Sequence, residues 1–322
     1  VVDAASLDAE AFARPEAAVA RANWSSLSDL ERNLDRYLAT LPTDGALNAL
    51  RTSVRDQALR HAADAPGFFS LTVPTGGGKT LTSLAFALAH AREHRLRRVI
   101  YAIPYLSIIE QAAGVFRTAV GADVLEHHSS IDVDDHDWRS ALAAENWDAP
   151  LVVTTTVQLF ESLFASKRSR CRKLHNLAGS VIVLDEAQLM PPDFLEPILA
   201  ALRVLVEGFG VTIILCTATQ PALGAHERPG GARFAGLSGV RELVDDPLDL
   251  SRRLERVTLE WPPDTRVPTP RAQVAARLED ETPRPRGGNT RAGAGGAATG
   301  RSDPPRAASV GSEPWHPPPE WP

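Results

Sequence analysis

Lys79 and Thr80, Asp185 and Glu186, and Thr217 and Thr219 are the side chains whose types and spacing could do chemistry. The first two close the stretch "PTGGGKT" (74–80), which follows a β-branched apolar run and precedes a helical pattern. That is the setting a phosphate-binding loop requires. Gly76, Gly77 and Gly78 allow turns that a Cβ would block and bring bare N–H groups, with that of Thr75, close to a phosphate. A helix starting near Lys79 adds its partial positive charge, roughly half an elementary unit. Lys79 supplies a full charge for the β and γ phosphates of ATP, and the Thr80 hydroxyl is a ligand for Mg²⁺. The strict pattern has glycine at position 73, where this chain has Val73.

A nucleotide site also needs a carboxylate for the metal. "VIVLDEAQ" (181–188) ends an apolar run on Asp185 and Glu186. In a parallel sheet the carboxyl ends of strands open on one crevice, so this pair can meet Lys79 and Thr80. Asp185 would hold Mg²⁺ through water, and Glu186 would orient and deprotonate the attacking water. "CTATQPAL" (216–223) follows the next apolar run. Its Thr217 and Thr219 put two hydroxyls on one face of an extended segment, within reach of the carboxylates.

These groups need elements to position them. The runs "FFSLTVP" (68–74), "RRVIYAIP" (97–104), "LVVTTT" (151–156), "SVIVLDE" (180–186) and "GVTIILCTAT" (210–219) read as strands. Helical stretches at 79–95, 105–119, 157–166 and 193–207 alternate with them, which implies a parallel α/β sheet covered on both faces. That domain is placed at 67–225. Residues 1–66 read as helices: Leu27, Leu30, Leu34, Leu38 and Leu41 form one apolar stripe. Pro42 and Gly45 interrupt it, and Leu47, Leu50, Val54 and Leu59 form a second. Residues 226–261 read as a link. The segment 262–322 holds 13 of the 25 prolines and few large apolar side chains, so it is expected to be disordered.

Composition narrows the class. A net charge of −6 argues against a uniformly basic nucleic-acid coat but leaves room for a local basic groove. Two distant cysteines, Cys171 and Cys216, give neither a disulfide framework nor a zinc spacing and fit a reducing cytoplasm. No apolar run is long enough to span a bilayer, and the start lacks the pattern of a signal peptide. "SKRSRCRKLH" (166–175) carries five basic residues. It reads either as a phosphate contact or as a solvated loop.

The series "PTGGGKT", "YAIPYLSIIEQ", "LVVTTTVQLFESLF", "VIVLDEAQ" and "CTATQPAL" resembles the first, RecA-like motor lobe of a superfamily 2 helicase. The wording around the motifs, "RRVIYAIPYLSIIEQ", "VLEHHS" and "LDEAQLMPP" among it, is similar to the CRISPR-associated helicase–nuclease of type I interference systems. The match covers about residues 45–260. A generic DEAD-box protein would show D-E-A-D and S-A-T, where this chain has Gln188 and Thr217. The resemblance implies ATP-driven movement along single-stranded DNA in the 3′ to 5′ sense, with a crRNA-guided surveillance complex as partner. It implies that Pro104, Tyr105 and the segment to Gln111 face the DNA backbone, with Thr154, Thr155 and Thr156. Strand-end threonines are equally β-propensity choices. Gln188 would couple hydrolysis to DNA contact, with Thr217 and Thr219.

The sequence departs from that family at both ends. Residues 1–66 hold one histidine, His61, and no His-Asp pair, so the family's metal-dependent nuclease domain is expected to be missing. His136–Asp137 sits in an acidic stretch without a partner set. His127 and His128 end a strand, as structural groups, DNA-side groups or plain polar residues. A second lobe that would donate arginines to the transition state is also expected to be missing. The expectation is therefore a helicase lobe whose own turnover is weak. The alternatives are an ATP- or DNA-binding remnant and a generic superfamily 2 remodeller. Arg51 and Gln57 precede the loop, but no pattern selects either for the adenine.

Overall fold

Two helices, α1 (Val2–Ala13) and α2 (Pro15–Arg21), open the chain. The structure, a computed structural model, describes residues 1–21, 24–129, 138–219, 223–227 and 233–255. The first leucine stripe becomes α3 (Leu27–Thr40). It starts at a capping box, in which Asp29 N donates to Ser26 Oγ (3.2 Å) and Ser26 N donates to Asp29 Oδ2 (3.1 Å). The second stripe becomes α4 (Ala46–Arg60). Leu30, Leu34, Leu50 and Val54 are buried, as spacings of three and four residues on one helix face require.

From Phe68 the period changes to that of strands. β1 (Phe68–Thr72) leads through the glycine loop into α5 (Lys79–Glu93), and β2 (Arg98–Ile103) into α6 (Leu106–Val120). A short β3 (Leu125–His127) precedes α7 (Trp138–Asn146), and β4 (Leu151–Thr155) runs directly into α8 (Thr156–Leu163). Two single turns, α9 (Arg168–Cys171) and α10 (Leu174–Leu177), lead to β5 (Ser180–Leu184). Then come α11 (Leu195–Phe209) and β6 (Thr212–Thr217). β7 (His226–Glu227) and β8 (Arg233–Phe234) form a small antiparallel pair, before β9 (Arg241–Glu242) and α12 (Pro247–Arg253).

Among the described residues, seven strands make one sheet in the order β3-β4-β2-β5-β6-β1-β9, and every pairing in it is parallel. This is the parallel α/β architecture the alternating runs imply, and the RecA-like fold the resemblance implies. Both faces are covered, so β2, β4, β5 and β6 are buried along their whole length. On one face Phe69, Leu71 and Val73 share a core with α3, α4, α5 and α6. On the other, Ile100, Val152, Ile182 and Ile213 pack against Leu159 of α8 and Ile198, Leu199 and Leu202 of α11. The helices before Phe68 and the strand β9 after Glu227 thus build on the same sheet as the motifs. The tail from 262 and the pair His136–Asp137 lie outside the described residues.

Two histidines against the sheet, buried His90 and half-buried His127, have lowered basicity. His90 is held between Ala62 O (2.9 Å) and Thr212 Oγ1 (2.9 Å), and burial pushes its pKa down to about 4. His127 Nδ1 accepts from Trp147 Nε1 (3.1 Å), and burial likewise lowers it to about 4.

Candidate nucleotide site

β1 ends at Thr72, and the chain turns through Val73–Gly78 into α5. Gly76 and Gly78 have φ of +87° and +90°, backbone that side chains with a Cβ rarely adopt. Gly77 is excluded from other residues by space, since a Cβ there would lie 2.6 Å from Val73 Cγ1 and 3.1 Å from Pro74 O. Val73, the departure from the strict pattern, is therefore a packing residue. It is fully buried, and its side chain fills the hollow beneath Gly77. A feature the sequence left unassigned holds the loop from outside. Arg51 of α4 donates from Nε to Gly76 O (2.9 Å), and its side-chain stem lies against Gly78. Gln57, also ahead of the loop, instead accepts from Asp245 N (2.9 Å).

The carboxylates come from the end of β5, separated from β1 by β6. Lys79 Nζ lies 3.2 Å from Asp185 Oδ1 and is hydrogen-bonded to Glu186 Oε1. Glu186 also accepts from Gln188 Nε2 (2.5 Å). Its backbone is left-handed (φ +49°), an uncommon conformation for a residue with a side chain, and it turns the chain from the strand into a tight 3₁₀ turn at Ala187–Leu189. Burial opposes the charge on Lys79, yet the two carboxylates outweigh it and raise its pKa. Burial pushes Asp185 up, with Lys79 pulling the other way. For Glu186, burial is outweighed by the hydrogen bonds from Lys79 and Gln188, and its pKa is lowered. The two neighbours thus depart from their ordinary values in opposite directions. Beneath them the Tyr101 hydroxyl meets Ser83 Oγ (3.0 Å), and Ser83 Oγ donates to Thr80 O (3.1 Å), which ties the first turn of α5 to the sheet.

The remaining sequence-derived positions separate into two kinds. Thr217 lies buried on β6 between the loop strand and the acidic strand. Its hydroxyl bonds to the backbone of exposed Thr219 rather than to the acidic pair, because a Thr-x-Thr turn offers it a nearer partner. Thr154 and Thr155 are buried. The Thr154 hydroxyl donates to His127 O (2.8 Å), and Thr155 Oγ1 caps α8 by accepting from Gln158 N (3.0 Å). Thr156 is half-buried, and Tyr105 and Gln111 are exposed on the β2–α6 side, with Pro104 half-buried at the strand end.

The basic stretch is less available than its composition suggests. Arg172 Nε pairs with Asp3 Oδ1 (2.7 Å) and its NH1 with Glu145 Oε2 (2.9 Å). Arg170 pairs with Glu161 (3.0 Å). Lys173 is buried over the Trp147 ring, where burial lowers its pKa to about 8. Lys167 and Arg168 are exposed.

The geometry offers a glycine cradle at a helix N-terminus, a lysine, and two adjacent carboxylates: a site for a nucleotide polyphosphate. Thr80 and Asp185 supply hard oxygen donors, the kind Mg²⁺ takes. The model of the DEAD/DEAH box helicase family matches residues 52–226. The CRISPR-associated nuclease/helicase Cas3 of Haloferax volcanii is 32% identical over 250 residues, a match covering 64% of this chain and 26% of that protein. The chain therefore spans about a quarter of the length of that curated relative. Among solved structures, T. fusca Cas3 with AMPPNP is 24% identical (TM-score 0.42), over 52% of this chain and 20% of that one. The Pyrococcus furiosus Hef helicase domain is 17% identical (TM-score 0.40), over 65% of this chain and 41% of that one.

Proposed function

We propose, from the premise that this chain belongs to the DEAD/DEAH box helicase family, that it is the ATP-binding motor lobe of a single-stranded-DNA translocase of type I CRISPR defence. The observation that carries the reading is the meeting of Lys79 with Asp185 and Glu186 at the carboxyl ends of parallel strands. Lys79 and the N–H groups of Thr75–Thr80 bind and orient the β and γ phosphates. Thr80 and Asp185 would hold Mg²⁺, which, when bound, would neutralise charge on the phosphate oxygens. Glu186, ionised and turned into the crevice by its left-handed backbone, accepts the proton of the attacking water. Gln188 touches Glu186 and so reports the state of the base. Thr217 lies on the intervening strand and with Thr219 links the site to the DNA side.

Pro104, Tyr105, Gln111 and Thr156 at the strand ends form the DNA-side face, with Thr154 and Thr155 shaping it from below. A crRNA-guided surveillance complex is the partner that the likeness to the Haloferax protein supports. The domain organisation follows the same reading: a lobe at 67–225, helices before it at 1–66, and a link at 226–261 ahead of the tail at 262–322.

The test is ATP hydrolysis by this chain with and without single-stranded DNA, beside Lys79→Ala. DNA-stimulated turnover that Lys79→Ala abolishes supports the motor reading. Mg·ATP binding without turnover, weakened in Lys79→Ala, supports a nucleotide-binding lobe that needs further parts to hydrolyse. No binding at all overturns both.

A further inference from the structure

A carboxylate outside all the motifs holds the strand that feeds the glycine loop. Glu242 lies on β9, the edge strand, directly opposite Ser70 of β1. Its Oε1 accepts from Thr72 N (3.0 Å), Leu243 N (3.2 Å) and Val244 N (3.3 Å). Its Oε2 accepts from Ser70 Oγ (2.8 Å) and Thr72 Oγ1 (2.7 Å). Five donors converge on one side chain, which an ionised carboxylate, with acceptor capacity on both oxygens, can satisfy.

Thr72 is the last residue of β1, and only Val73 and Pro74 separate it from the loop. On its other side Thr72 registers with Thr217, and Val73 N donates to Thr217 O (3.0 Å). Glu242, Thr72 and Thr217 therefore form a row across three strands, joining the sheet edge to both the loop and the Thr217–Thr219 turn. The segment after Glu242 returns to the loop a second time. Leu243 and Val244 enter the core, Asp246 caps α12 by accepting from Asp249 N (2.9 Å), and Leu250 is buried. Leu254 Cδ1 then lies 3.0 Å from where a Cβ of Gly77 would stand.

We propose that Glu242 is a positioning residue for the phosphate loop. It fixes the end of β1, so that Val73–Gly78 leaves the sheet at the angle that presents its N–H groups to phosphate. It also links the segment 241–254 to that loop. The proposal rests on the nucleotide-binding reading of the site. Glutamine should substitute where alanine does not. Its carbonyl oxygen can take the three N–H groups in place of Oε1, and its amide can donate to the two hydroxyls, which rotate to accept.

The experiment measures Mg·ATP affinity by calorimetry and hydrogen exchange of the amides at 75–80 in the nucleotide-free chain, alongside the unfolding midpoint. In Glu242→Ala the dissociation constant should rise about tenfold or more and loop exchange should quicken, while β4 amides keep their protection. Glu242→Gln should stay within about threefold of the unsubstituted chain on both readouts. Leu202→Ala, in the core on the opposite face of the sheet, should lower the midpoint and leave both readouts unchanged. A Glu242→Ala chain with a lowered midpoint but unaltered affinity and loop exchange would show only an edge cap, and would overturn the proposal. If Glu242→Ala does not fold, Thr72→Val removes one of the five donors. It should move both readouts the same way by less, and no movement overturns the proposal. If the unsubstituted chain binds no Mg·ATP, the nucleotide reading fails, while the exchange comparison still decides whether Glu242 holds the loop.

Discussion

The ammonium of Lys79 and the carboxylate of Glu186 are hydrogen-bonded partners, one at the start of α5 and the other just past the end of β5. The cation that would receive the phosphates is therefore already paired with the base that would activate water. On the proposed reading, a nucleotide would have to take Lys79 from Glu186, and in doing so would free the base.

That competition predicts opposite signs for binding and turnover. Glu186→Gln weakens the hold on Lys79, so Mg·ATP should bind severalfold tighter, while hydrolysis falls by about 10²–10⁴. Lys79→Ala should lose both. Titration calorimetry with single-turnover hydrolysis on the two variants checks this, and tighter binding to Lys79→Ala would contradict it.

The glycine loop predicts a rescue. Gly77→Ala forces a Cβ against Val73 Cγ1 and Pro74 O, an overpacking of about 1–3 kcal/mol. Val73→Ala opens that hollow. The double variant should recover part of the stability that Gly77→Ala loses, with a coupling of about 0.5–3 kcal/mol in denaturant unfolding. Strictly additive losses would show that Val73 does not occupy the space Gly77 leaves.

Two histidines of lowered basicity predict an acid-sensitive fold. His90 and His127 have folded pKa values of about 4 against 6.5 for the free side chain. Below pH 6.5 the unfolded chain takes up protons first. The stability these groups contribute is thus complete above pH 6.5 and is lost as pH falls toward 4, on the order of 3 kcal/mol for each. Urea unfolding at pH 7 and pH 5 should show a steep loss that His90→Gln makes shallower. An unchanged slope would mean that His90 is not held neutral.

Pairing within the basic stretch predicts which charges DNA can feel. Each phosphate contact on a single strand contributes about 0.7 to the slope of log affinity against log salt. Lys167→Ala and Arg168→Ala should each reduce that slope, whereas Arg172→Ala should lower the unfolding midpoint and leave the slope alone. A reduced slope in Arg172→Ala would mean that DNA competes successfully with Asp3 and Glu145.

The legible parts of this protein are those written in neighbouring residues. β-branched runs, helix stripes and the glycine loop depend on spacings of two to four residues, so Phe68–Lys79 and Ser180–Glu186 could be read directly. Asp185 could be matched to Lys79 because parallel strands share one end. Arg51 and Glu242 were not legible, since each acts through backbone atoms far along the chain. A two-residue strand such as Arg241–Glu242 has no periodicity of its own. The basic stretch shows a third limit. Composition reveals that Arg172 is charged, but its partner Asp3 stands 169 residues away.

The strand order also sets a timetable for synthesis. Among the described residues β1 pairs with β6 and β9, so when Phe68–Thr72 leaves the ribosome, neither neighbour exists. At about 5–20 residues per second, β6 follows many seconds later and β9 later still. Over that interval the glycine loop has no sheet to spring from, and both edges of its strand are open to other chains. A nascent chain of this lobe is therefore vulnerable to misassociation at the strand that carries the glycine loop. Arrest of translation before Glu242 would release a lobe whose loop strand is still an edge.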